Sequence, residues 1–99
     1  MKLEWEQLGY PGISEVVGHL KDTFLSRGNS RISLVRQEKV SEGVYNWRVF
    51  YIHENINVNH AIEAATLEAA QDKAIDLVKA GWREHLAKLT AANDQIQAI

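Results

Sequence analysis

His53, Glu54 and His60 come nearest to a metal-ligand set in this chain, since imidazole nitrogens and carboxylate oxygens are common ligands of divalent transition metals. Their spacing, H-E-x5-H, lacks the one-turn separation that places two histidines on the same face of a helix, and it begins in a stretch that reads as a turn. The sequence contains no cysteine, so it offers neither a thiolate ligand nor a disulfide framework. A serine elbow, a glycine-rich phosphate loop and a paired-carboxylate arrangement are absent as well. The expectation is a non-enzymatic chain without a metal or cofactor.

The charged residues suggest binding instead. The formal net charge of -2 conceals a gradient. Residues 1–26 sum to -2, residues 27–48 to +3 and residues 49–99 to -3. Within the basic stretch, Arg31, Arg36, Lys39 and Arg48 are interleaved with Tyr45 and Trp47, a combination that can hold phosphates and stack bases. The same pattern also suits a sheet edge whose charges prevent pairing with other sheets while its aromatic rings turn inward. Further on, Glu68, Asp72 and Asp76 recur every four residues, so on a helix they share one exposed face able to meet a basic partner. Asn57 and Asn59, two apart on the polar side of a strand, supply a second contact.

These groups need elements to hold them. Ninety-nine residues suffice for one domain, and 45% apolar with 24% charged residues fits a folded globular chain. The apolar runs are too short for a membrane span, and MKLEWEQLGYPG has no hydrophobic signal region, so a soluble, cytoplasmic chain with no membrane partner is expected. Trp5 in the first nine residues reads as a core or lid residue in an extended N-terminal piece. Ile13, Val16, Val17, Leu20, Phe24 and Leu25 follow the spacing of an amphipathic helix that ends at Gly28, with Gly18 as an interior weakness unless it permits a close contact.

Residues 31–39 read as a first strand, and a short glycine-containing hairpin leads to a second, Val44 to Ile52. Tyr45, Trp47, Val49 and Tyr51 fall on one side of that second strand, with Val44, Asn46, Arg48, Phe50 and Ile52 on the other. Apolar residues on both faces mark a central strand. After a turn at His53, Glu54 and Asn55, a third strand alternates Ile56, Val58, His60, Ile62 and Ala64 with polar residues. Thr66 then caps a long helix whose stripe is Leu67, Ala70, Ala74, Leu77, Val78, Gly81, His85 and Leu89, widened by Ile75, Trp82 and Leu86. Small residues at 70, 74 and 81 predict a close approach to the sheet. The spacing continues through Ala92, Ile96 and Ile99 but is interrupted by Asn93 and Asp94, so residues 90–99 read as a flexible or partner-docking tail.

The expected fold is thus a single α+β domain over 1–99, ordered helix, three-stranded antiparallel meander, long helix, with both helices on one face. This order is similar to the double-stranded-RNA-binding domain. The lysine-rich motif with which that family's second helix grips phosphates is replaced here by Ala64-Ala65-Thr66-Leu67-Glu68-Ala69-Ala70, so the likeness is one of topology. The tryptophan-bearing hairpin followed by Glu63-Ala64-Ala65-Thr66-Leu67-Glu68-Ala69-Ala70-Gln71-Asp72-Lys73-Ala74 also resembles small accessory proteins of phages and prophages. That resemblance implies an inhibitor that binds a host nuclease or antiviral defence complex. The leading expectation is therefore a protein-interaction module using Glu68, Asp72, Asp76, Asn57 and Asn59. The alternative is a nucleic-acid-binding domain using Arg31, Arg36, Lys39 and Arg48. A third possibility is a homo-oligomer sharing Trp82, Ile96 and Ile99.

Overall fold

A computed structural model of the chain describes residues 3–10, 13–19 and 31–99. Five strands run through them, β1 (Glu4–Tyr10), β2 (Ile13–His19), β3 (Arg31–Ser41), β4 (Val44–His53) and β5 (Ile56–Ala64), followed by helix α1 (Leu67–Gln97). The strands pair antiparallel in chain order as a single meander. The α+β class, the three successive strands from Arg31 and the long C-terminal helix are as expected from the sequence. No described helix is long and apolar enough to cross a membrane.

The helix expected from Ile13 is corrected over its first seven residues, which form β2 and pair with β1 on one side and β3 on the other. Its remaining part, residues 20–28, lies outside the described residues. The physical reason is that a short apolar run fits either period, and β-branched Ile13, Val16 and Val17 are better accommodated on a pleated surface. Two flanking strands then supply hydrogen bonds to both edges of β2. Gly18 does have a packing role, in a strand rather than a helix. A Cβ there would meet the Trp5 ring at 3.2 Å, so the missing side chain lets Trp5 lie flat across β2. The meander thus has five described strands where three were expected, and a single described helix covers it.

Two tight hairpins set the register of the second half. Glu42 and Gly43 connect β3 to β4, and Gly43 has φ +75°, a conformation that suits a residue without Cβ. Glu54 and Asn55 connect β4 to β5, with Glu54 held at φ 51°. That register aligns Tyr45, Trp47, Val49, Tyr51 and His53 with Ala64, Ile62, His60, Val58 and Ile56 on the face that α1 covers.

Thr66 caps α1 through its hydroxyl, which accepts the Ala69 N–H at 3.1 Å. The helix runs back over β5, β4 and β3 and seats Ala70, Ala74 and Val78 in a core with Ile32, Leu34, Trp47, Val49, Tyr51, Ile56, Val58 and Ile62. Trp47 is buried with its indole N–H donating to the Ala64 carbonyl at 3.1 Å, so its one polar group is satisfied. At Gly81 the backbone comes so close that a Cβ would stand 3.1 Å from Ile56 Cγ2. The three small residues therefore set the helix-to-sheet distance. Gly81→Leu should lower stability by about 1–3 kcal/mol through overpacking, read as a reduced urea midpoint with an unchanged slope.

Candidate functional site

Because β4 is paired on both sides, its two faces meet different environments. One face is sealed by α1. The other carries Arg48, Phe50 and Ile52, with Phe50 39% and Ile52 62% exposed. Register places Phe50 opposite Asn59 of β5 and Ser33 of β3, and Ile52 opposite Asn57. Arg48 reaches diagonally to Asn59, its guanidinium donating to the side-chain carbonyl at 2.6 Å. The result is an apolar centre with a polar rim on a hydrogen-bonded sheet. Further across this face, the Ser33 hydroxyl donates to the Glu15 carboxylate at 2.7 Å, and His19 contacts Glu6 at 3.3 Å.

The residues expected to bind a partner are divided by the sheet. Asn57 and Asn59 belong to the patch just described. Glu68, Asp72 and Asp76 are exposed along a flank of α1, on the opposite side of the molecule. They border a groove whose other wall is Leu3 and Trp5, with Ile75 at its base and Lys79 at one end. The expected set therefore forms two surfaces.

The basic quartet is divided too. Arg31 and Arg48 alternate onto the open face, whereas Arg36 stands opposite Trp47 on the helix side, its guanidinium 4.9 Å from the centre of the Tyr45 ring. Lys39 is opposite Tyr45 in register, beyond an irregularity in the β3–β4 pairing. The four cations expected to form one nucleic-acid surface thus do not share a face. Tyr45 packs against the core and Trp47 is buried within it, so neither ring is available for stacking on the open face.

The histidines do not converge on a metal. Among the described residues, no group of three or more His, Cys, Asp or Glu could hold an ion. His53 instead stacks on Trp82 at 5.1 Å between ring centres, and His85 meets the same indole edge-on at 6.2 Å. Sequence reasoning placed Phe50 and Ile52 on the second face of a central strand, and β4 is paired on both sides, but it missed that this face is exposed at the two residues. The available signal was their company, since Asn46 and Arg48 share their side of β4 and Asn57 and Asn59 lie on the polar side of β5.

Tyr51 shows how firmly the covered face is closed. Burial raises its phenol above the ordinary tyrosine value, and the smaller opposing effect is the Trp82 indole N–H, which donates to the phenol oxygen at 2.9 Å. The folded chain thus holds this proton more tightly than the unfolded chain. The associated stability is present in full below the unfolded pKa, about 10, and is lost as pH rises through the folded value. Trp82→Phe removes the donor and should move Tyr51 still higher, read by phenolate absorbance in an alkaline titration.

No family model, curated protein or solved structure matches this chain.

Proposed function

We propose that the chain is a non-enzymatic protein-interaction module whose recognition surface is the β4–β5 part of the sheet face turned away from α1. The observation that supports this reading most directly is the exposure of Phe50 and Ile52 side by side on a paired, interior strand. A rigid sheet presents the two side chains in a fixed arrangement, so little conformational freedom is lost when a partner covers them. Around them Arg48, Asn57 and Asn59 provide donors and acceptors that fix orientation.

The charge of the surroundings favours a protein over a nucleic acid. On the same face Glu4, Glu6, Glu15 and Glu63 outnumber Arg31 and Arg48, and the strip of Glu68, Asp72 and Asp76 adds further negative charge on α1. The partner that fits has an apolar projection within a basic surface. A host nuclease or defence complex, the target implied by the resemblance to phage accessory proteins, is basic where it binds nucleic acid, and occupation of such a surface would inhibit it.

Capture from nuclease-treated host lysate tests this reading. The wild-type chain should retain a stoichiometric protein, and Phe50→Asp should weaken that binding by about 30-fold or more, the cost of losing a central hot-spot residue. Reversing Glu68, Asp72 and Asp76 to lysine should weaken it less. Undiminished binding by Phe50→Asp would exclude the sheet face as the recognition surface.

A second reading rests on the two arginines that flank Phe50. An exposed ring with guanidinium groups on either side can stack a base and pair its phosphates, so single-stranded nucleic acid is the alternative ligand. Its affinity should fall steeply with added salt, and the paired change Arg31→Ala with Arg48→Ala should flatten that dependence by roughly two in slope. Arg36→Ala should leave it unaltered.

A further inference from the structure

Helix α1 is longer than the sheet it covers. At 31 residues it extends about 46 Å, whereas β5 beneath it has nine residues and spans about 30 Å. Gly81 lies over Ile56, the first residue of β5, so the helix beyond Trp82 projects past the end of the sheet and stretches the molecule to 58 × 28 × 21 Å. The projecting half does not turn polar. Trp82, His85, Leu89, Ala92 and Ile96 recur at alternating intervals of three and four, the heptad seam of a two-stranded coiled coil, and Ile99 follows just past the end of the helix. Leu89 is 51% and Ile96 65% exposed.

We propose that this overhang is the dimerisation element of the chain and that its occupant is the overhang of a second copy, packed antiparallel. Four features single out a second copy. First, the seam continues the stripe that packs on the sheet, so the partner helix takes the place beneath the overhang that the sheet takes upstream. Second, the seam is complementary to itself when reversed. A two-fold axis between residues 90 and 91 sets Leu89 against Ala92 of the other copy and His85 against Ile96, pairing a large side chain with a small one at the centre and repeating each layer by symmetry.

Third, the charges permit self-pairing. Arg83 and Lys88 balance Glu84 and Asp94, and Lys88 is already joined to Glu84 within the helix at 3.2 Å, so two overhangs approach without net repulsion. Fourth, a receiving groove is present. Ile56, Val58, Gly81 and Leu89, together with the ion-paired Glu84 and Lys88, line a cavity of about 500 Å³ where the overhang leaves the sheet, and the reversed partner brings Ile96 to its mouth. The helical seam from Trp82 to Gln97 is about 22 Å long, which makes the interface a small one, in the class of weak, reversible associations.

Pairing of the overhangs is independent of what the sheet face binds. Its consequence for that reading is bivalence, since an antiparallel pair carries a Phe50 patch at each end and gains avidity for a partner with two sites.

Analytical ultracentrifugation of the full chain across a concentration series tests it. The wild type should pass from monomer to dimer across the series. Leu89→Asp and Ile96→Asp should each remain monomeric, with the near-ultraviolet dichroism from buried Trp47 unchanged, and Ala87→Asp on the outer side of the helix should dimerise normally. A single label at Gln97 should lie about 20 Å from its counterpart if the helices are antiparallel, and within about 10 Å if they are parallel. A wild type that stays monomeric at millimolar concentration, unaltered dimers of the aspartate variants, or the short label distance would each overturn the proposal.

Discussion

The closeness with which α1 can approach the sheet is the constraint from which the rest of the architecture follows. Ala70, Ala74 and Gly81 present almost no side chain to the strands, so the helix backbone rests nearly on the tops of Ile56, Val58 and their neighbours. At that distance Val78, Trp47, Val49 and Tyr51 interlock into one core, and dispersion contacts are gained along the covered length. Larger residues at the three small positions would lift the helix and open voids beneath it. The cost of such voids rises with their volume.

That close seat also limits what a single helix can cover. Its contacts are greatest with β5 and extend to β4 and β3, all on one face of the sheet. Two regions are therefore left with apolar residues and no cover from α1. One is the opposite face of β4, where strand alternation makes Phe50 and Ile52 point away from the core. The other is the end of the helix, where the sheet stops but the heptad pattern does not. Both arise from the mismatch between one long helix and a wide, short sheet, and each has a different symmetry. The sheet patch has no internal symmetry, whereas the heptad spacing of the helical seam reads alike in either direction.

Polar groups within the core are arranged to make this division stable. Trp47 donates to the end of β5, and Trp82 donates to Tyr51 at the point where the helix leaves the sheet. Among the described residues no buried side-chain nitrogen or oxygen lacks a partner. The Trp82–Tyr51 bond, with His53 stacked on the same indole, pins the base of the overhang to the last residues of β4. A projecting helix anchored in this way keeps its direction, which a self-pairing seam requires.

The second half of the fold is legible in local sequence. The two-residue periodicity of β4 and β5, the glycine in the β3–β4 turn, the Thr66 cap and the small residues of α1 are local signals, and each selects its structure with little help from distant residues. The contrast lies in Ile13–His19, where an apolar run fits both helix and strand, and pairing with β1 and β3 selected the strand. Local spacing carries no information about those neighbours. The same limit governs the sites. The sequence identified Asn57, Asn59, Arg31 and Arg48 as surface groups, but only the cross-strand register brought them around Phe50. Register likewise placed Arg36 on the helix side, and the length of β5 relative to α1 decided that Leu86 and Leu89, expected on a buried stripe, stand in the open. Which face is covered depends on where another element ends, and that is a property of the assembled structure.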